Sequence, residues 1–318
     1  MKFYWIILIC LLAVLLLVLA GAFVCFYIPF YVKRPKKAPE EHKFDIPKGE
    51  VYEPFREKMI AWMKETYATP CREFFIKSHD GLTLHGVYYE KVPGAPIELM
   101  FHGYRGTAER DLCGGMQRCF SLGRNAFIVD QRTSGKSEGH VISFGLNESR
   151  DCLAWVDFMI KTFGPDVKII LCGISMGAAT VSIASGYDLP ENVVGVLADC
   201  GYTTAKDIIK TVMKKIGVPP DLLYPLVRLG AMIFGHFDPD KVSPRDSVAN
   251  SKVPVIFIHG GDDDFVPPEM SVQNHAACSS EKAILTVPGA GHGLSYLVDP
   301  EAYLNALEDF FPIYTSRQ

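Results

Sequence analysis

From residue 97 onward the chain alternates between two kinds of segment. Six short, mostly apolar runs rich in β-branched residues occupy 97–101, 126–129, 167–172, 193–198, 255–258 and 283–287. They lack the polar alternation of a half-solvated strand, so they read as strands buried on both faces. Between most of them lie helix-length stretches around 111–122, 146–162, 176–186 and 268–278. Strands that alternate with helices pack as a parallel sheet covered by helices on both sides, an α/β architecture. Upstream, two extended runs at 73–77 and 82–89 flank Asp80-Gly81, a hairpin turn signal. Before them Phe55, Met59, Trp62 and Met63 recur at helical spacing. A last helix is expected to open with Asp299 as N-cap and Pro300 at its first position. No period of 20–50 residues recurs, which excludes a solenoid.

One interval is too long for a simple crossover. Residues 203–252 hold two helical patterns, 206–216 and 222–234, split by Gly217-Val218-Pro219-Pro220. Inserted after a strand, such a pair is either a small helical lid or additional packing.

The N-terminus is of a different kind. Residues 3–32 carry no charge, and about 20 apolar residues suffice to cross a bilayer core as a helix. The run is apolar on every side, unlike a globular helix. Ala20-Gly21-Ala22 has the small-x-small form of a signal-peptide cleavage site. Cleavage there would leave a new terminus starting Phe23-Val24-Cys25-Phe26, which favours an uncleaved anchor. Lys2 precedes the run, whereas Lys33, Arg34, Lys36 and Lys37 follow it. The positive-inside rule then places the body in the cytoplasm, with the opposite orientation as the alternative. Residues 33–50, with Pro35, Pro39, Pro47 and Gly49, read as a linker to a domain over 51–318.

Composition excludes several function classes. The 318 residues are 48% hydrophobic and 21% charged, which rules out a disordered chain. Residues 1–50 hold 7 basic and 4 acidic side chains, leaving 25 basic and 32 acidic in the rest, net −7. Such a body is a poor match for a nucleic-acid backbone. Cys10 and Cys25 lie in the apolar run; the other seven cysteines are an odd number with no CxxC spacing, so neither a disulfide framework nor a metal motif is indicated.

The chemistry centres on Gly173-Ile174-Ser175-Met176-Gly177, which follows one expected strand and opens a helix. This is a G-x-S-x-G nucleophile elbow in the context that the motif demands. A serine nucleophile needs a base, and the base an orienting carboxylate. Both belong at the ends of later strands, in the order Ser, Asp, His. The run 255–258 leads into Asp262-Asp263-Asp264, any of which can supply the carboxylate, and the run 283–287 leads into Gly291-His292-Gly293. An oxyanion hole needs backbone N–H donors. Met176, after the nucleophile, supplies one, and Tyr104 in His102-Gly103-Tyr104 supplies the other. His102 and His259, each at a strand end before Gly, read as local hydrogen-bonding residues, with His102 near the site. Gly135-Lys136-Ser137 resembles the tail of a P-loop, but the first Gly of that motif would fall on Asp130. Gly289-Ala290-Gly291 fails as a dinucleotide motif at Leu294. No cofactor and no metal is indicated.

Taken together, His102-Gly103-Tyr104, the stretch from Asp130-Gln131-Arg132 to Gly135-Lys136-Ser137-Glu138-Gly139, the elbow, Asp263 followed by Val266-Pro267, and Gly291-His292-Gly293 make the chain resemble the α/β-hydrolase superfamily over roughly 72–312. Within it, the chain is similar to membrane-anchored, largely uncharacterised bacterial hydrolases and to small-lid esterases such as the cinnamoyl ester hydrolases. The resemblance implies an Asp-x-x-Val-Pro pattern that selects Asp263 among the three aspartates, and a structural role for the Asp130 stretch. It also implies acyl transfer to Ser175 from a small-molecule substrate. The superfamily includes esterases, thioesterases, lipases, peptidases and acyltransferases, so the fold does not fix the substrate. The interval 203–252 is rich in apolar residues (Ile208, Ile209, Met213, Leu222, Leu223, Ile233, Phe234), which favours a hydrophobic or aromatic acyl ester. A thioesterase or peptidase of the same fold is the alternative among enzymes; a catalytically silent binding module is the alternative of another class, and the intact Ser, Asp and His argue against it. The charge bias around the anchor makes one further prediction. Protease added to intact cells should leave the body undigested until lysis; digestion without lysis would place it outside.

Overall fold

The computed structural model describes residues 2–33 and 44–314. Most of the expected linker, with Arg34, Lys36 and Lys37, lies outside the described residues. Helix α1 (Lys2–Phe30) leads; a 3₁₀ turn (Glu50–Phe55) precedes α2 (Arg56–Ala68). Then come β1 (Arg72–Lys77), β2 (Thr83–Tyr89), β3 (Ile97–Phe101), α3 (Ala108–Asp111), α4 (Cys113–Ser121), β4 (Asn125–Asp130), α5 (Leu146–Phe163), β5 (Ile169–Ile174), α6 (Met176–Ser185) and β6 (Val193–Asp199). The chain continues through α7 (Ala205–Lys215), α8 (Pro220–Phe234), α9 (Pro244–Val248), β7 (Val255–Gly260), α10 (Glu269–Ala277), β8 (Lys282–Val287), α11 (Ser295–Val298) and α12 (Pro300–Phe310).

The strands form one eight-stranded sheet in the order β1-β2-β4-β3-β5-β6-β7-β8. β2 pairs antiparallel with β1 and β4, and every other pairing is parallel. The expected α/β architecture is present. Successive strand residues point to opposite faces. Leu99, Phe127 and Leu171 therefore pack with Trp155 and Val181 on one side, while Met100, Ile128 and Ile170 pack with Met116, Tyr303 and Leu307 on the other. Two apolar layers are why these strands read as unbroken apolar runs. Glu98 is the exception within β3. Its buried carboxylate is held by Arg118 and by Arg124, the latter at 2.8 Å, and a buried charge is tolerable only when paired in this way.

Local chemistry sets the boundaries. Asp299 accepts from the Ala302 N–H at 2.9 Å and caps α12, with Pro300 at the first helical position, as expected. The expected helix over 111–122 is two short helices that meet at Leu112, whose ψ of 5° is outside the helical range. β5 starts at Ile169, two residues after the apolar run does, because Val167 is tied into a turn by its N–H bond to the Gly164 carbonyl.

α1 has the length and composition of a membrane span, features that a signal sequence shares. It is also docked on the body. Ala22, Phe26 and Phe30 are buried, on one face at helical spacing. Gly230 of α8 lets the helices touch: a Cβ there would stand 2.1 Å from the Ala22 carbonyl oxygen. Phe30 meets Phe144 and Phe237 edge-on at 5.5 and 5.2 Å. Beyond the helix, the Val32 N–H donates to the His140 carbonyl and the Ile142 N–H to the Phe30 carbonyl, both at 2.8 Å. The C-terminal third of α1 therefore shares a core with α7, α8 and the N-terminus of α6. Phe30→Ala should destabilise the body by about 3–5 kcal/mol, read by chemical denaturation of the full chain in detergent. Leu12→Ala, on the exposed part of α1, should leave that midpoint unchanged.

Candidate active site

The centre of the site is the sharp turn from β5 into α6. Ser175 sits there with φ 57° and ψ −115°, a backbone conformation costly for a residue with a side chain. Its neighbours make the turn possible. A Cβ on Gly173 would stand 2.1 Å from the Gly177 carbonyl oxygen, and one on Gly177 would stand 2.0 Å from that of Phe101. Only glycine fits at either position. The Ser175 N–H donates to the Asp199 carbonyl at 2.8 Å, tying the turn to β6.

The loops after β7 and β8 converge on this turn. A Cβ on Gly260 would stand 2.3 Å from the Ala290 carbonyl oxygen, so the two loops nearly touch. His292 Nε2 lies 2.9 Å from Ser175 Oγ, and His292 Nδ1 lies 2.6 Å from Asp263 Oδ2. An ionised carboxylate only accepts, so Nδ1 carries the proton and Nε2 is left to accept from the serine hydroxyl. Asp263 Oδ1 accepts from the Phe265 and Val266 N–H groups at 2.9 Å each. Its side chain is fully buried. Burial by itself would raise the pKa of Asp263, but hydrogen bonds from His259 and His292, the nearby His292 and the Val266 N–H together hold it well below the usual carboxylate range. The neighbouring aspartates lie elsewhere. Asp264 is exposed and paired with Lys215 of α7 at 2.9 Å, and Asp262 is exposed.

His259 is closer to this chemistry than its sequence context suggested. Its Nδ1 lies 2.6 Å from Ser271 Oγ, and its Nε2 lies 3.1 Å from Asp263 Oδ2 and 2.9 Å from the Val266 carbonyl oxygen. With the Ser271 hydroxyl donating to Nδ1, the Nε2–H is shared between the carboxylate and the carbonyl. His102, by contrast, is a local hydrogen-bonder as expected: Nδ1 is 2.8 Å from the Gly103 carbonyl oxygen, and Nε2 accepts the Gln131 N–H at 3.1 Å.

The loop after β3 runs beside the serine, with the position of a Gly103 Cβ 3.5 Å from Ser175 Cβ. Asp111 holds this loop by accepting the Gly103 N–H at 3.1 Å. Met176 is the first residue of α6, so its N–H has no acceptor within the helix and lies at the positive end of the helix dipole. The Tyr104 phenol donates to the Pro29 carbonyl of α1 at 2.7 Å. A cavity of about 520 Å³ adjoins Met176; His102 and Ile142 line it from the body, Tyr27 and Ile28 from α1, and Tyr31 from just beyond that helix. The Asp130 stretch forms a separate turn. Asp130 accepts the Lys136 N–H at 2.8 Å and meets His85 Nδ1 at 2.8 Å.

Cys200, Asp263 and His292 place ligand-type atoms within 4.8 Å of one another. Asp263 is already engaged by four protein donors, and burial pushes the Cys200 thiol well up, away from the thiolate a metal needs. Hydrogen-bond contacts instead join Ser175, His292, Asp263 and His259 in one chain. Two contacts escaped the sequence reading. Tyr52, 240 positions from His292, donates its hydroxyl to the His292 carbonyl at 3.0 Å, and Asp111 braces the loop at Gly103. Neither carries a local motif; His259 did, by following a strand that ends beside Asp263.

No family model matches the chain. It is 25% identical to the Bacillus subtilis protein YqkD over 196 residues, which are 61% of this chain and 64% of that protein. It is 24% identical to the Arabidopsis thaliana α/β hydrolase domain-containing protein WAV2 over 283 residues, 81% of this chain and 89% of that one. Among solved structures it superposes on the Pyrococcus furiosus esterase Pf2001 with a TM-score of 0.63 at 20% identity, covering 79% of this chain and 94% of the esterase. It superposes on Est1E of Butyrivibrio proteoclasticus, solved with ferulic acid bound, with a TM-score of 0.57 at 20% identity, covering 76% and 98%.

The glycine contacts give a direct test of the elbow. Gly177→Ala must displace α6 from the Phe101 carbonyl. It should cost about 1–3 kcal/mol of stability, the usual range for overpacking, and lose labelling by an activity-based phosphonate although Ser175 is intact. Thermal melting and labelling of the purified variant check both.

Proposed function

We propose that this chain, whose fold is that of the α/β-hydrolases, is a membrane-anchored serine hydrolase that cleaves acyl esters. The carrying observation is the unbroken relay from Ser175 Oγ through His292 to Asp263, with contacts of 2.9 and 2.6 Å. Ser175 Oγ attacks the acyl carbonyl while His292 Nε2 takes its proton. Asp263 keeps the imidazole oriented and stabilises the imidazolium. The oxyanion is held by the amides of Met176 and Tyr104, aided by the N-terminus of α6. Collapse expels the alcohol, which receives the proton from His292. Water, deprotonated by the same histidine, then attacks the acyl-enzyme and releases the carboxylic acid and free Ser175.

The acyl group is hydrophobic or aromatic. Supporting this are the apolar and aromatic side chains of Tyr27, Ile28, Tyr31 and Ile142 in the wall of the cavity beside Met176, which Lys33, Arg105 and Arg132 also line. The ferulic acid bound to Est1E is an aromatic acid on the same fold.

A chain-length series of p-nitrophenyl esters and matched acyl thioesters tests the substrate class, with ester turnover expected to exceed thioester turnover and to peak at long or aromatic acyl groups. Ser175→Ala should abolish phosphonate labelling. Asp263→Asn should lower turnover by about 10⁴, as in the triad template, while Asp262→Asn and Asp264→Asn should keep turnover within about tenfold of the parent, as expected where no transition-state contact is removed. Wild-type labelling of Ser175→Ala, or full activity of Asp263→Asn, would refute the assignment.

A further inference from the structure

Two large apolar side chains at the turn between α7 and α8 face solvent, although most of the apolar residues on these helices pack inward. Ile216 is 68% and Leu222 72% exposed, while Ile208, Ile209, Tyr224 and Val227 are buried. The register of α8 against α1 says where that turn lies. Gly21 faces Leu226, Ala22 and Phe26 face Gly230, and Phe23 and Phe26 meet Phe234 at 5.2 and 6.0 Å. Residue numbers rise together along both helices, so they run parallel. Leu222, one turn before Leu226, therefore lies beside the turn of α1 that precedes Gly21. That part of α1 is still exposed and apolar: Leu15 and Leu17 are 53% and 73% exposed.

Length arithmetic puts this level inside a bilayer. Phe3–Phe30 is 28 residues, or about 42 Å at 1.5 Å per residue, against a hydrocarbon core of about 30 Å. With Lys2 at one surface, about 20 residues complete the crossing, and the helix leaves the hydrocarbon close to Gly21 and Ala22, where α8 begins to pack. The charges agree. Lys206, Lys210 and Lys214 follow one another along α7 towards the turn, set back from Ile216, while Lys215 is held by Asp264. Asp221, the acid at the tip, is paired with Lys210 at 2.7 Å. An apolar tip backed by lysines is the pattern of a segment seated in a lipid interface.

We propose that the α7–α8 turn dips Ile216 and Leu222 into the same bilayer leaflet that α1 leaves, so that the inserted helices rest on the membrane. The inference depends on α1 being a membrane anchor. Through α8 and the end of α1, it sets the cavity beside Met176 at the lipid surface. An ester lying in the leaflet then reaches the site without crossing water.

The test uses the full chain in phosphatidylcholine–phosphatidylglycerol vesicles that contain doxyl-labelled lipid. Cys10, Cys25 and Cys71 are replaced by Ser, and one cysteine is introduced and labelled with the environment-sensitive dye NBD: Ile216→Cys, Leu222→Cys, or Lys252→Cys at the opposite end of the sheet. A parallel sample keeps Cys10 as the reporter on α1. Dyes at 216 and 222 should shift to the blue and reach at least half of the quenching seen at Cys10, while the dye at 252 stays unquenched. Water-like emission at 216 and 222 with Cys10 quenched would overturn the proposal and leave the anchor standing. Blue-shifted but unquenched dyes would mean that protein, such as a second copy, covers the tip, and would also overturn it. An unquenched Cys10 would remove the anchor reading and the proposal with it.

Discussion

Ser175 holds a backbone conformation that a residue with a side chain seldom adopts, and much of the structure serves to keep it there. The turn is clamped from three sides. β6 takes its N–H through the Asp199 carbonyl, Gly173 rests on the Gly177 carbonyl, and Gly177 rests on the end of β3. These contacts need β3, β5 and β6 to be parallel neighbours, as they are. A parallel neighbour requires a crossover, and each crossover is a helix that covers a sheet face. The conformation of one residue thus depends on the layered architecture. In return, the turn sets Ser175 immediately before α6, with its hydroxyl 2.9 Å from His292 Nε2.

Asp263 shows the second constraint, which is electrostatic. A carboxylate that is fully buried keeps its charge only if its lone pairs are satisfied. Four donors do so: two backbone N–H groups from the turn it begins, and two imidazoles. His259 is the less obvious of the two. It is itself fixed by Ser271 and the Val266 carbonyl, so it fixes Oδ2 in place without competing for the proton on His292. That leaves the short contact to Nδ1 as the carboxylate's link to His292. Asp264 and Asp262 follow the same strand, but the turn closed by the Phe265 and Val266 N–H groups points only the middle carboxylate inward.

The parts legible in the sequence are those encoded locally. Buried parallel strands announce themselves as apolar runs, and a glycine-flanked serine between such a run and a helix pattern requires an elbow. The order Ser, Asp, His follows from placing each residue type after a strand, whereas the choice of Asp263 among three adjacent aspartates rests on the resemblance to related hydrolases. Tyr52 was not legible because its one hydrogen bond reaches a backbone group 240 positions away, and Asp111 was not because a single bond to the Gly103 N–H leaves no motif in the sequence. The docking of α1 was hidden for a different reason. In an all-apolar helix, the face that meets protein (Ala22, Phe26, Phe30) cannot be told from the exposed face, because no polar residue marks the boundary. The break at Leu112 falls two residues before Gly114-Gly115, a pair inside the expected helix that did not mark where the break would come.

The docking changes what the N-terminal helix is. A tether would end in a flexible joint, whereas here the last turn of α1 is bonded to the loop beside the serine. The Tyr104 hydroxyl donates to the Pro29 carbonyl, and the Arg105 guanidinium donates to the carbonyls of Ile28 and Tyr31 at 2.8 and 3.0 Å. These are carbonyls that a helix leaves unpaired at its C-terminus, and a cation there complements the dipole. Arg105 itself sits at φ 51°, a conformation that this capping helps to hold. The loop that carries Tyr104 is therefore braced between Asp111 on the body and the end of the apolar helix. Its geometry, and with it the wall of the cavity next to Met176, is set jointly by both.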